Sequence, residues 1–313
     1  FPSPACGKIK EVRYGERRRI ERIEIEISGE EVYEKNDSFR LKEIEELSAE
    51  QVMSKLTTGC LVPFIRQRPF NKIADPTNPP RDIFISGWNT APLSVNLDLA
   101  LRGRRSQFQA GVSILNKITK GNVHLSYYED SVSETLIGLD DVVSHTIRGP
   151  HPAGNVGIHI HHIAPLSSND HVWVINAQDV ARIGNFFLTG ELDVSLIITL
   201  GGPSVLNPIH MKSRLGAPVS LCLEDNIKDG DHRIISGDVL TGDKIDVDDF
   251  LGFYDSSVAV LPEGGEREFI GMLRPGTAMS RYSLTNAFLG TLKGGYDFNT
   301  LKNGSERYMV PIN

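Results

Sequence analysis

The chain has 313 residues, more than one compact domain usually holds, with 40% hydrophobic and 23% charged residues, so two or three ordinary globular domains are expected. Its formal net charge is −7 and its one dense cationic run is Arg17-Arg18-Arg19, which argues against a phosphate-tracking surface and against nucleic acid as a partner. No stretch reaches the roughly 18 consecutive apolar residues of a membrane span. The three cysteines, Cys6, Cys60 and Cys222, form no C-x-x-C pair, so an iron–sulfur cluster, a zinc ribbon and a disulfide framework all lack support and a reducing compartment fits best.

Residues 1–35 carry strand-and-turn patterning, with Ile23, Ile25 and Ile27 alternating with Glu24 and Glu26 as on a strand with one buried face. This is too little chain to bury a core of its own. A Glu- and Lys-rich connection follows, and Ser48-Ala49-Glu50-Gln51 has the form of a capping box opening a helix with Val52, Met53 and Leu56 inside. From about residue 80 the pattern becomes α/β. Strands are expected at 83–86, 123–127, 142–147, 172–175 and 194–200, and helices at 106–120 (Phe108, Val112, Leu115 and Ile118 on one stripe) and 177–188 (Val180, Ile183, Phe187). Strands alternating with helices of this length imply a mostly parallel, helix-covered sheet, of which 194–200 would be the last strand. After Gly201-Gly202-Pro203, short strands and Gly/Asp/Pro turns predict a small β-rich module, and beyond Gly264 the chain is turn-rich.

The most unusual segment is residues 149–162, Gly-Pro-His-Pro-Ala-Gly-Asn-Val-Gly-Ile-His-Ile-His-His. Gly154 and Gly157 permit close backbone approach, and Pro150 and Pro152 stiffen it. As a strand it would put His159 and His161 on one face and His162 on the other. Two imidazoles at i and i+2 can meet one metal ion, yet no third ligand and no H-E-x-x-H stand nearby; the other readings are a packed histidine cluster and proton carriers beside a quinone head group, since quinone reduction takes up protons. Residues 66–72, Arg-Gln-Arg-Pro-Phe-Asn-Lys, are suited to a surface loop and combine three cations with a stiff Pro-Phe step that could hold an anion or an acidic partner. Residues 83–90 stand where a nucleotide fold carries its ligand loop, but neither G-x-G-x-x-G nor G-x-x-x-x-G-K-[ST] is present, and no nucleophile elbow occurs.

These strings carry a resemblance. Arg68-Pro69-Phe70-Asn71-Lys72, Gly149-Pro150-His151-Pro152-Ala153-Gly154 and Gly157-Ile158-His159-Ile160-His161-His162 resemble the A subunit of the sodium-translocating NADH:quinone oxidoreductase, as do residues 187–191, 235–242 and 303–312. The resemblance implies an α/β protein: a partial biotinyl/lipoyl-like barrel sandwich over 1–40, a Rossmann-like parallel-sheet domain over 45–200, a ligand-binding β-grasp module over 201–265, and a segment, 266–313, leading to a helical domain. A more distant similarity, to the flavin subunit of respiratory complex I, implies a Gly-rich flavin loop where bulky residues 66–72 stand here, and a cysteine cluster that this sequence does not show.

The resemblance further implies a peripheral subunit with no tightly bound cofactor, on the cytoplasmic side of a bacterial inner membrane. NADH, flavins and iron would be used by partner subunits, ubiquinone would be the substrate ligand, and membrane contact would come through those partners only. The quinone-binding or proton-donor candidates are His151, His159, His161, Arg68 and Phe70, with no metal. Two other readings stand beside it: a free-standing nucleotide- or flavin-binding oxidoreductase, and a purely structural scaffold.

Overall fold

A computed structural model of the chain describes residues 1–264 and Thr300. The described elements are, in order, β1 (Gly7–Tyr14), β2 (Ile20–Ile27), α1 (Leu41–Glu46), α2 (Ala49–Thr58), β3 (Arg66–Arg68), β4 (Lys72–Ile73), β5 (Ile83–Ser86), α3 (Leu97–Ala100), α4 (Arg105–Lys117), β6 (Val123–Tyr128), β7 (Val143–Ile147), α5 (Val156–Ile163), β8 (Val172–Asn176), α6 (Ala177–Thr189), β9 (Ser195–Gly201), β10 (Ile209–Arg214), α7 (Val219–Leu223), β11 (His232–Ser236), β12 (Asp243–Ile245) and β13 (Ser257–Pro262). The protein is mixed α/β with three separate sheets among the described residues. It divides into two compact units, residues 1–91 with 96–196, and residues 92–95 with those from Ile197 on. Segment 266–313, expected to turn at Gly294-Gly295 and Asn303-Gly304, lies outside the described residues except for Thr300.

In the first unit a six-stranded sheet has the order β4-β3-β8-β5-β6-β7. Strands β8, β5, β6 and β7 are parallel, and β3 joins β8 antiparallel. The chain moves one way across the sheet from β5 to β6 and the other way from β7 to β8. Right-handed crossovers therefore put α4 and α5 on opposite faces. Helix α6 packs on α4 so closely that a Cβ on Gly184 would lie 1.7 Å from the Gln107 carbonyl oxygen, and one on Gly111 2.2 Å from that of Val180. Pleating sends Ile83, Ile85, Val123, Leu125, Trp173 and Ile175, all buried, to this side. Phe84, Val172 and Val174 point the other way and form one apolar cluster with Ile160 of α5.

Helix α2 begins as expected, with Ser48 and Gln51 capping each other reciprocally. The α4 helix ends at Lys117, three residues short of the expected end. Strands β1 and β2 form an isolated two-stranded hairpin. The alternation of Ile23, Ile25 and Ile27 makes the strand, but the burial expected for one face is missing: Ile9, Ile23 and Ile27 are exposed among the described residues.

Two expectations are corrected. Residues 159–162 are not a strand. Helix α5 spans them because Val156, His159, Ile160 and Ile163, at i, i+3, i+4 and i+7, turn inward while Gly157, Ile158, His161 and His162 face out. The run 194–200 does form a strand, β9, but it closes no parallel sheet with β8. It belongs to the second sheet, order β10-β9-β13-β11-β12, where it pairs parallel with β13. A continuous apolar run says that a strand is buried and leaves open which sheet buries it. Residues 66–72 are likewise no free loop, since β3 and β4 make a hairpin laid along β8.

Candidate functional site

The C-terminal ends of β5, β6, β7 and β8 carry the loops that an open α/β sheet uses for ligands, and the strand order reverses between β5 and β8, the position favoured for a binding crevice. Two loops meet there. Gly154 N–H donates to Thr90 Oγ1 at 2.9 Å, and Thr90 Oγ1 lies 3.2 Å from His151 Nδ1. The contact requires Gly154, because a Cβ there would stand 2.6 Å from the Thr90 nitrogen. Gly157 has open space around it and makes no such approach. Just before Thr90, the Trp88 ring packs on Tyr128 at the end of β6, with centroids 4.8 Å apart. Half-buried aromatic rings beside hydroxyl, imidazole and backbone N–H groups can receive a flat ring bearing carbonyl oxygens.

Beneath this edge, the sheet face covered by α5 adds polar side chains to its apolar cluster. His159, only 3% exposed, hydrogen-bonds the Ala153 carbonyl through Nε2 at 2.8 Å. A carbonyl only accepts, so Nε2 carries the hydrogen and Nδ1 holds a lone pair. That Nδ1 is buried with no partner among the described residues, as is Ser126 Oγ on β6. His124 stacks on Phe84, with centroids 4.8 Å apart, and its Nδ1 lies 3.0 Å from His145 Nε2. On its other side, His124 Nε2 is 3.9 Å from Asp82 Oδ1. Arg81 clamps Asp82 and Asp170 and donates to the Ala164 and Pro165 carbonyls just past α5, which pins the end of that helix. Burial lowers the pKa of His124, His145 and His159; Asp82 partly opposes the shift at His124 and the Ala153 carbonyl at His159.

The structure brings two of the five sequence candidates together, His151 and His159, through the loop of residues 151–155. His161 is on the exposed side of α5, its ring edge-on to His162. One buried and one exposed imidazole cannot share an ion, so the i, i+2 metal geometry does not form, and no group of three or more His, Cys, Asp or Glu among the described residues is arranged to hold a metal. Arg68 pairs with Val172 at the start of β8, the edge opposite the His151 loop, and Phe70 is 85% exposed in the turn beyond it. The Arg68 guanidinium is half-buried, its Nε is without a partner among the described residues, and burial beside Arg66 lowers its pKa. The hairpin is closed by pairing and by a side chain: Arg66 and Gln67 pair with Ile73 and Lys72, and the Arg66 guanidinium bonds the Asn71 carbonyl. Sequence reasoning misses His124, His145 and Ser126, lone polar residues in apolar strands that only strand pairing brings together, and reaches Thr90 only as part of the ligand-loop position 83–90.

Residues 47–192 match the family model of the NqrA second alpha/beta domain, and residues 197–246 match that of the NQRA C-terminal domain. The A subunit of the Na(+)-translocating NADH-quinone reductase of Pasteurella multocida is 38% identical over 317 residues, which take in all of this chain and 70% of that protein. The chain belongs to the NqrA family. The A subunit from Yersinia pestis bv. Antiqua is also 38% identical and that from Histophilus somni 36%, each with the same coverage. Among solved structures, an NAD+-reducing [NiFe]-hydrogenase in the H2-reduced state aligns at 11% identity with a TM-score of 0.49, over 71% of this chain and 48% of that one, a likeness too low to bear on the fold. Among the described residues of this NqrA chain, no helix is long and apolar enough to cross a membrane.

Proposed function

We propose that this chain serves a sodium-translocating NADH:quinone reductase as a peripheral subunit that holds the quinone head group at the C-terminal edge of its parallel sheet. The observation that carries the reading is the junction of the β5 and β7 loops, where Thr90 bonds both Gly154 and His151 beside the Trp88–Tyr128 ring pair. A quinone needs an apolar ring surface and donors to its oxygens, and the Trp88–Tyr128 pair with the neighbouring hydroxyl and imidazole supports this reading. His151 stands as a donor to a quinone oxygen, while Thr90 sets the spacing of the two loops. His161, Arg68 and Phe70 fit contact with partner subunits better, since all three lie away from this edge.

In this reading the chain holds no redox group of its own. NADH oxidation, flavin and iron belong to the other subunits, and the family resemblance supports a cytoplasmic-side position. The first unit acts as a Rossmann-like domain from which the flavin loop has been lost, and the second as a β-grasp docking module. The parallel order β8-β5-β6-β7 supports the former. A photoreactive quinone applied to the assembled reductase tests the site: labelled peptides covering residues 87–91 or 149–159 are expected, and labelling confined to other subunits or to the second unit would overturn it.

A further inference from the structure

The β1–β2 hairpin ends in a cluster of charge that its own neighbours do not balance. Residues 13–22 hold five arginines, no lysine and two carboxylates, Glu16 and Glu21, a net of +3 on a chain whose net is −7, so the other residues carry −10. Arg13 stands opposite Arg22 in the ladder, a like-charge pairing that costs stability, and Tyr14 stands opposite Ile20. The turn between them is fixed: Gly15 N–H donates to the Arg19 carbonyl at 2.8 Å, and Arg19 N–H to that of Glu16 at 3.2 Å. Within it Arg17 and Arg18 sit in the left-handed region, at φ 56° and 60°, which residues with a side chain rarely hold. Glu21 lies over Gly15, where a Cβ would come 1.8 Å from its Oε1. The ion pairs of the hairpin sit lower, on Glu24, which takes Lys10 at 3.8 Å and Arg22 at 2.6 Å. Arg13, Arg17, Arg18 and Arg19 are exposed and have no ion pair among the described residues. Beside them Tyr14 is 60% and Ile20 53% exposed. Each strand has eight residues, so the tip stands roughly 23 Å from the base of the hairpin.

We propose that this tip docks the chain on an acidic surface of another subunit of the reductase, with Tyr14 and Ile20 entering an apolar hollow and the arginines closing on carboxylates around it. Exposed aromatic and aliphatic side chains among guanidinium groups have the composition of an interface hot spot. Guanidinium forks carried on a fixed turn match carboxylates at fixed positions, and that is the use of arginine rather than lysine. An anionic lipid surface fits less well. It asks for charge density alone, lysine serves it equally, and Glu16 and Glu21 would be pressed against it. The −10 elsewhere on the chain repels the same acidic partner, so only the tip can meet it, which sets the orientation of docking. This reading rests on the chain being one subunit among several and not on the quinone site.

The test measures the affinity of the full subunit for the reductase that lacks it, with Arg17→Glu, Arg18→Glu and Arg19→Glu made together. All three side chains are exposed, and an unchanged urea midpoint by tryptophan fluorescence shows that the first unit has folded. Affinity is expected to fall by about tenfold or more, and the weakening by salt seen with the parent should flatten in the variant. An affinity equal to the parent's would overturn the proposal. Lysine at the same three positions keeps the charge and loses the forks, so it should recover only part of the affinity; full recovery would mean that charge density alone is read and would overturn the fit to carboxylates. In the complete reductase, p-benzoylphenylalanine placed at Tyr14 and activated by light should attach to an Asp- and Glu-rich segment of another subunit. Attachment to lipid alone, to a segment without carboxylates, or to nothing would overturn the proposal. Failure of quinone labelling at residues 87–91 and 149–159 would leave this docking reading standing, and loss of docking at the tip says nothing against the quinone edge.

Discussion

The two faces of the six-stranded sheet are made largely from the same strands, each with an apolar cluster, and bury different polar groups. Toward α4 and α6 the strands send Ile83, Ile85, Val123, Leu125 and Trp173, and the two helices touch backbone to backbone at Gly111 and Gly184. One charge is buried on that side, Arg182, and it is fully engaged by the Asp193 and Ser195 carbonyls and by Asp179, with the ring of Phe64 beneath its guanidinium. Burial lowers its pKa to about 10, still far above neutrality, so it remains charged. Toward α5 the same strands and β7 send Phe84, Val174, His124, Ser126 and His145; Ser126 Oγ and His159 Nδ1 stay without protein partners there among the described residues, as Gln67 Oε1 and Trp173 Nε1 do on the first side. The faces thus differ in the kind of polar group they bury, amide, indole and guanidinium on one side and hydroxyl and imidazole on the other.

The largest test of that contrast is Gly184→Ala. A Cβ there would overlap the Gln107 carbonyl and push against the Gly111 nitrogen, and backbone cannot yield as a side chain does. A loss of about 3 kcal/mol is expected, at the high end for overpacking. The two tryptophans, Trp88 and Trp173, both lie in the first unit, so urea unfolding followed by their fluorescence reports this unit alone. An unchanged midpoint would mean that the α4–α6 contact is looser than described.

The α5 face should show itself through pH. His124, His145 and His159 have folded pKa values below the ordinary imidazole value of about 6.5. Between those folded values and pH 6.5 the unfolded chain therefore binds more protons than the folded one. The stability they contribute is fully present above pH 6.5 and is lost as pH falls through that window. The opposing charges are Asp82, which favours protonation of His124, and Arg81, which disfavours it. His159→Phe, which keeps the ring volume, should flatten part of this acid slope, whereas Arg182, charged throughout the window, contributes nothing to it. A slope identical in parent and variant would mean that His159 is as protonatable in the fold as outside it.

Much of the α4–α6 face is legible in the sequence and little of the α5 one. Phe108, Val112 and Leu115, or Val180, Ile183 and Phe187, announce their helices because a buried stripe must repeat at helical spacing. The 149–162 segment stands out by composition, but its periodicity misleads. Ile158, Ile160 and His159, His161 alternate as a strand would, and the helical set of Val156, Ile160 and Ile163 is just as apolar. Only docking on Phe84 and Val174 decides between them. His124 and His145 are 21 residues apart in sequence, and a parallel ladder, which leaves no local signature, puts them 3.0 Å apart. Arg68 and Phe70 group with the histidines only because both strings are unusual, and rarity says nothing of which sheet edge a residue occupies.

The smallest expected effect is the sharpest, because it repeats the first substitution on the opposite face. Gly157 lies in the first turn of α5 with nothing within 4 Å of the position a Cβ would take, and its backbone is not left-handed. Alanine there meets no neighbour and restricts the unfolded chain, so Gly157→Ala should stabilise the first unit by about 0.5 kcal/mol. Glycine to alanine would then carry opposite signs on two helices of one sheet, negative where backbones touch and positive where the outer side of a helix is free. Were residues 156–163 extended instead, the added methyl would bring no helical gain, and a neutral or destabilising midpoint shift in the same urea titration would count against α5 itself. With α5 would go the burial of His159.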